Sequence, residues 1–270
     1  MQNNIKNLKS LKEKNNRFSV IAAYDATMTL AINQAEIEVI LVGDSLGMVV
    51  QGHKNTLPVT LEQMAYHTKA VCRANNTSLK PSLIISDLPF MSYDNEDKAL
   101  RSAEKLVRAG ANMVKLEGGA WLSPIIRKLN LIGIPVCGHI GLTPQSINKL
   151  GGFSVQGKNE EQKKQLINDA KELELAGADF IVLECVPEMV AKEITLNLDC
   201  PTIGIGAGRY TDAQVLVCYD ILGLNNNPPK FVKNFLSNSS ENQKRSIIDA
   251  FANFKKDVND GIYPSIEHLY

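Results

Sequence analysis

The chain has 270 residues, 44% hydrophobic and 21% charged, with 29 basic and 29 acidic side chains and a formal net charge of +0. That composition excludes a disordered chain, a collagen and a coiled coil, and at this length roughly three quarters of the unfolded surface can be buried. The even charge balance gives no basic field for nucleic acid or anionic lipid, so neither is expected as a partner.

The opening stretch MQNNIKNLKSLKEKNNRF carries a charge every few residues and no apolar core of signal-peptide length. No later stretch approaches the roughly eighteen apolar residues of a membrane span. A cytoplasmic location is expected. Up to about Asn16 the pattern predicts an N-terminal helix with a charged face from Lys6 to Lys14. Five cysteines, Cys72, Cys137, Cys185, Cys200 and Cys218, are scattered without a C-x-x-C pair, which fits reduced thiols.

Short apolar runs then recur: VIAAYD to Asp25, VILVGD to Asp44, LIISD to Asp87, MVKLE to Glu117, PVCGH to His139, FIVLE to Glu184 and TIGIG to Gly206. Most are nearly continuous in apolar residues, as in parallel strands covered on both faces, and the stretches between them are long enough for crossover helices. One such helix starts with Thr60 and Gln63 in capping-box spacing and continues Met64, Ala65, Thr68, Val71, Cys72. Another carries Leu100, Ala103, Leu106 and Val107 before a stop at Gly110. A shorter eighth strand is expected near Ile221 to Leu224, before NNNPP, and a further helix around Ile247, Ala250, Phe251 and Phe254. Eight strands alternating with helices predict a (β/α)8 TIM barrel, one domain over residues 1–270 with a helix before it. The segments AGANMVKLE (Ala109–Glu117) and AGADFIVLE (Ala176–Glu184) echo each other and would deliver two glutamates to one rim, two strands apart.

In parallel α/β folds ligands bind beyond the carboxyl ends of the strands. The polar residues closing the apolar runs are therefore the first candidates: Asp25, Asp44, Asp87, Glu117, His139 and Glu184, with Lys115 on the same strand face as Glu117. So many acids on one rim repel one another unless a cation lies among them. The oxygen-only set Asp44, Asp87 and Glu117 suits Mg²⁺ better than zinc, and Lys115 adds a positive charge toward an anionic substrate. A 2-oxo acid, whose carboxylate lies beside a metal-binding oxygen, fits that description. The structural alternatives are an N-cap or turn for each Asp, an ion pair for Lys115 or Glu184, and a satisfied core histidine for His139.

Other motifs fail. GIGAG (Gly204–Gly208) has Arg209 where a dinucleotide fingerprint needs a third glycine, and reads as a tight loop near the rim. There is no Walker sequence, nucleophile elbow or H-E-x-x-H helix, and His53, His67, His139 and His268 lack metal-ligand spacing.

Longer blocks carry a resemblance: LVGDSLGMVVQGH (Leu41–His53), NTLPVT (Asn55–Thr60), DLPFMSY (Asp87–Tyr93), RAGANMVKLEGG (Arg108–Gly119), PVCGHIGLTPQS (Pro135–Ser146), LECVP (Leu183–Pro187) and PTIGIGAG (Pro201–Gly208). In this order, from about Phe18 to His268, they resemble the ketopantoate hydroxymethyltransferase family. The resemblance implies a barrel of the phosphoenolpyruvate-mutase/isocitrate-lyase type, a homodecamer, Mg²⁺, and 5,10-methylenetetrahydrofolate as co-substrate. It also implies Asp44, Asp87 and Glu117 as metal ligands, Asp44, Ser45, Asp87 and Lys115 as oxo-acid contacts, Glu184 as general base, and His139 as a supporting residue lining the site. The implied reaction moves a one-carbon unit from the folate to 3-methyl-2-oxobutanoate, giving 2-dehydropantoate for pantothenate synthesis, with Mg²⁺ polarising the oxo group. Two other readings are a folate-independent Mg²⁺ carbon–carbon lyase or mutase acting on another small 2-oxo or 2-hydroxy acid, and a metabolite-binding oligomer without chemistry. Ala213 stands where the family pattern has Gly, and Asn225–Pro229 and the final Leu-Tyr also depart from it, so the eighth-strand loop and the C-terminal contacts are expected to differ from the family's.

Overall fold

In the computed structural model, which describes residues 3–237 and 245–270, eight parallel strands close into a barrel in chain order. They are β1 (Phe18–Ala22), β2 (Val39–Val42), β3 (Leu83–Asp87), β4 (Met113–Glu117), β5 (Val136–Gly141), β6 (Phe180–Glu184), β7 (Thr202–Ile205) and β8 (Ala213–Val217). The helices are α1 (Ile5–Glu13), α2 (Ala26–Gln34), the short α3 (Leu46–Val49), α4 (Leu61–Asn75), α5 (Glu96–Arg108), α6 (Ser123–Leu131), the short α7 (Ile147–Leu150), α8 (Glu160–Leu175), α9 (Glu188–Asn197), the short α10 (Cys218–Ile221) and α11 (Ile247–Asn259). No helix among the described residues is long and apolar enough to cross a membrane.

The expected eighth strand at Ile221–Leu224 is wrong. Ile221 ends α10, and the strand that closes the barrel is Ala213–Val217, in register with β1 from Phe18↔Ala213 to Ala22↔Val217. The error has a physical source: residues 206–212 return the chain from β7 to β8 without a crossover helix, so strand-helix alternation places the strand too late. Ala213 is buried inside that strand, paired to Ile203 and Phe18, where an extended residue needs no glycine. Three strand ends also retreat from their expected polar residues: β1 stops at Ala22 rather than Asp25, β2 at Val42 rather than Asp44, and β7 at Ile205 rather than Gly206.

Two apolar layers surround the strands. Inside the barrel, Phe18, Val20, Val39, Leu83, Ile85, Met113, Phe180, Val182 and Val215 form one cluster, joined from below by Leu8 of α1 with Ile5 and Leu11 beside it. Helix α1 thus lies across the N-terminal end of the barrel as a plug. Lys12 secures it, its Nζ donating to Asp212 Oδ2 (3.0 Å), Thr195 O (2.9 Å) and Cys200 O (3.1 Å). Outside, a larger cluster packs the helices onto the strands. Helix α4 begins with the expected capping box, Thr60 Oγ1 accepting from Gln63 N and Gln63 Oε1 accepting from Thr60 N. Helix α11 buries Ala250, Phe251, Phe254 and Val258 against β1 and α2. With the bottom sealed by α1, the way into the interior is the C-terminal mouth.

Candidate active site

Strand register assembles the site. Asp87 of β3 pairs with Lys115 of β4, Glu117 of β4 with His139 of β5, and Gly141 of β5 with Glu184 of β6. The paired positions step along neighbouring strands from β3 to β6, so an arc of polar side chains lines that side of the mouth. Asp44 and Ser45 join it from the turn after β2. Together Asp44, Ser45, Asp87, Lys115, Glu117, His139 and Glu184 line one cavity of about 650 Å³. Asp25 does not join them: it is the N-cap of α2, its Oδ1 accepting from Met28 N at 2.9 Å.

Lys115 is the hub. Its Nζ lies 3.2 Å from Asp87 Oδ2, 3.4 Å from Glu117 Oε1 and 3.2 Å from His139 Nδ1, and its side chain is only 4% exposed. Burial alone would favour the neutral amine, but Asp87, Glu117 and Asp44 together hold its pKa well above the ordinary lysine value. The acids respond unequally. Burial, and then repulsion from Glu117 and Asp87, push the Asp44 carboxyl well up, and burial raises Asp87 against the pull of Lys115. Glu117 resists its own burial because Lys115, His139 and the Gln145 amide favour its charge, and its pKa falls to about 2.

His139 reaches in two directions: its Nδ1 faces Lys115 and Glu117, and Nε2 approaches Glu184 Oε2 at 3.2 Å. That last approach is an ion-pair contact off the line of a hydrogen bond, since Nε2 has no partner of hydrogen-bond geometry. Burial and Lys115 press toward the neutral ring, Glu117 and Glu184 toward the cation, and the balance lifts its pKa to about 9. Glu184 stands apart from the three-acid cluster, its side chain 16% exposed to the cavity against 2% and 3% for Glu117 and Asp87. Its setting is tight. Gly141 has φ +92°, and a Cβ there would meet Glu184 O at 2.3 Å, so glycine is required where β5 passes the end of β6. Cys185, the next residue, is held at φ 47° by hydrogen bonds at both backbone groups, to Ile205 O and from Gln156 N.

Two residues of the site were not singled out from sequence. Gln145 donates from Nε2 to Asp44 Oδ2 (2.8 Å) and Leu88 O (2.9 Å), and its backbone N–H donates to Glu117 Oε2 (3.0 Å). Tyr93 donates its hydroxyl to Gln145 Oε1 at 2.5 Å. Tyr93 lies in the loop after β3 and Gln145 in a single 3₁₀ turn, Pro144–Ser146, after β5, both inside family-like blocks where no periodicity marks them. Ser45 Oγ shares a hydrogen bond of 2.7 Å with Tyr24.

A closed parallel barrel whose C-terminal mouth gathers buried carboxylates around one lysine is the architecture of a (β/α)8 enzyme. Solved structures agree on the fold. A phosphonopyruvate hydrolase, described as a complex with oxalate and Mg++, superposes with TM-score 0.62 at 11% identity, over 99% of this chain and 93% of that one. A 2,3-dimethylmalate lyase of the PEP mutase/isocitrate lyase superfamily gives TM-score 0.56 at 18% identity, over 80% and 81%. Sequence comparison goes further. The profile of the ketopantoate hydroxymethyltransferase family matches residues 2–266. The 3-methyl-2-oxobutanoate hydroxymethyltransferase 2 of Hahella chejuensis is 52% identical over 264 residues, 97% of each chain. The 3-methyl-2-oxobutanoate hydroxymethyltransferase of Photorhabdus laumondii subsp. laumondii is 51% identical over 263 residues, again 97% of each. The chain belongs to the ketopantoate hydroxymethyltransferase family.

Proposed function

We propose that the chain transfers a hydroxymethyl group to C3 of 3-methyl-2-oxobutanoate, taking the carbon from 5,10-methylenetetrahydrofolate and the hydroxyl from water, to give 2-dehydropantoate and tetrahydrofolate for pantothenate synthesis. The observation that carries this reading is the isolation of Glu184: one carboxylate faces the cavity with only His139 beside it, while three others are gathered around Lys115.

The gathered acids fit Mg²⁺. Three carboxylates, Asp44, Asp87 and Glu117, meet with Lys115 and His139 as their cationic neighbours, and Asp87 Oδ1 is buried without a hydrogen-bond partner, which leaves an oxygen able to ligate a cation. Among the described residues no three His, Cys, Asp or Glu side chains already form a metal-holding group. Magnesium is often held by one or two carboxylates with water and substrate filling its other positions. Asp44 and Asp87 would hold the ion, with Glu117 as the third acid of the set, already engaged by Lys115, His139 and Gln145. Bound there, the ion supplies Lewis acidity toward the oxo group.

The chain's own residues do the rest. Lys115 attracts the substrate carboxylate, and Ser45, fixed by Tyr24, offers a hydroxyl beside it. Glu184 Oε2 accepts the C3 proton, with His139 Nε2 3.2 Å from that oxygen. Gln145 holds Asp44 and Glu117 in place without adding charge. The apolar floor of Val182, Val215 and Leu41 excludes water from the branched carbon. By family resemblance the working assembly is a homodecamer in the cytoplasm.

Turnover of 3-methyl-2-oxobutanoate with 5,10-methylenetetrahydrofolate and Mg²⁺, abolished by a chelator and restored by Mg²⁺, is the expected result. Cleavage of another small 2-oxo or 2-hydroxy acid with no folate-dependent turnover would replace this reading with that of a lyase.

A further inference from the structure

The cavity of about 650 Å³ is far larger than an acid of five carbons fills, and the charged residues assigned above occupy the β2–β6 side of the mouth. The β8 side carries a carboxylate the chemistry does not use. Asp220, in α10 directly after β8, lines the same cavity, and in a closed ring of eight strands β8 stands opposite β4, the strand of Lys115 and Glu117. It is only 7% exposed. Its Oδ1 accepts from Asn225 Nδ2 at 3.0 Å, while Oδ2 has no hydrogen-bond donor among the described residues and no cation pairs with it. That oxygen is therefore open to the cavity and able to accept a hydrogen bond from a ligand.

The walls beside it are flat and apolar. Phe231 and Tyr270 meet edge to face at 6.4 Å, and Pro228 and Pro229 continue the surface. The glycine run after β7 makes room for them: Gly206 has φ +60°, and a Cβ there would meet Phe231 at 2.7 Å and Tyr270 at 3.0 Å. Tyr263 fixes the position of this wall by donating its hydroxyl to Phe231 O at 2.5 Å.

We propose that Asp220 and this aromatic wall form the subsite for the pterin ring of the folate donor, the carboxylate accepting hydrogen bonds from the ring N3–H and the adjacent 2-amino group. The assignment rests on the folate-dependent reading above. Two neighbouring N–H donors on a planar ring match the two oxygens of one carboxylate, and the flat faces of the ring match the aromatic and proline walls. Burial raises the Asp220 pKa in the absence of a donor pair, which is the state such a ligand would relieve. The geometry sets the ring opposite the three acids, with Glu184 on β6 between the two halves.

Calorimetric titration with tetrahydrofolate in the presence of Mg²⁺ tests this. Asp220→Asn should weaken tetrahydrofolate by about 10–100-fold, the usual scale of a hydrogen bond to a charged group, with the affinity for 3-methyl-2-oxobutanoate changed much less. An analogue lacking the 2-amino group should lose less affinity on Asp220→Asn than tetrahydrofolate does, because one of the two hydrogen bonds is already missing. Tyr270→Ala, at a half-exposed position, should weaken tetrahydrofolate several-fold and serves if Asp220→Asn does not fold. Equal tetrahydrofolate affinity of the unsubstituted protein and the variants would overturn the subsite but leave the folate reading standing. Failure of the unsubstituted protein to bind tetrahydrofolate would overturn both.

Discussion

Glu184 and Asp87 are carboxylates at the ends of β6 and β3 of one barrel, yet their surroundings give them different work. Replacing Glu184 with Gln keeps the shape and removes the base. Exchange of the C3 proton of 3-methyl-2-oxobutanoate, followed by NMR in deuterated water, should fall by about 10²–10⁴-fold, with Mg²⁺ affinity nearly unaltered. Wild-type exchange would move the base elsewhere. Asp87→Asn removes charge next to Lys115 and replaces one of the two carboxylate oxygens with an amide nitrogen that is a poor ligand for Mg²⁺. Mg²⁺ and oxo-acid binding should weaken together in calorimetry, and unaltered Mg²⁺ affinity would strike Asp87 from the ligands. Gln145→Met keeps the volume but takes the Nε2 donor from Asp44 Oδ2 and Leu88 O, while the Tyr93 hydroxyl keeps only its longer bonds to the Glu117 backbone. A loss of about 1–3 kcal/mol in denaturant unfolding is expected, accompanied by weaker Mg²⁺ binding. A stability loss with no change in Mg²⁺ affinity would make Gln145 structural only.

Helix α1 and strand β8 show how elements outside the chemistry keep the mouth in shape. The plug depends on Leu8, 1% exposed against the barrel interior, and on Lys12, which ties α1 to Asp212 just ahead of β8. Leu8→Ala should cost about 2–5 kcal/mol by leaving a cavity at the base of the barrel, read as a lowered denaturation midpoint. A cost near zero would mean that α1 merely rests on the barrel. Asp212 also accepts from Thr202 N at 2.8 Å and Thr202 Oγ1 at 3.0 Å, so one carboxylate links α1, β7 and the entry to β8. That link sets β8 at Ala213, and with it the placement of Asp220 at the mouth.

Over the whole molecule the five cysteines are free and buried, as the scattered odd number suggested. Burial pushes the Cys72 thiol up to about 11 and those of Cys137 and Cys185 to about 12, with Cys200 and Cys218 also raised. The sign follows directly. Below the unfolded thiol pKa of about 9 both states hold these protons, so the thiols add no pH dependence there. As pH rises beyond it the unfolded chain ionises first, and stability falls until the folded values are reached. Urea midpoints should therefore decline above about pH 9, and a thiol reagent at pH 8 should label the native protein slowly and the unfolded protein at all five positions. Rapid labelling of the native protein would contradict the burial.

Much of this architecture is local and therefore legible in the chain. The apolar runs ending at Asp87, Glu117 and Glu184, the capping box at Thr60 and Gln63, the repeated turn before β4 and β6, and the stripe of α11 each depend on residues a few positions apart. The strand-end acids followed from the same short-range pattern, because a parallel strand delivers its last residue to the rim. Tertiary structure decided the rest. The pairing of Lys115 with Asp87 depends on the register between β3 and β4, and the hold of Gln145 on Asp44 spans 101 positions. The strand at Ala213–Val217 and the carboxylate of Asp220 at the mouth follow from barrel closure onto β1. Periodicity and capping act within a turn or a strand, whereas register and closure are settled by which distant backbone groups find partners, and no local pattern records that choice.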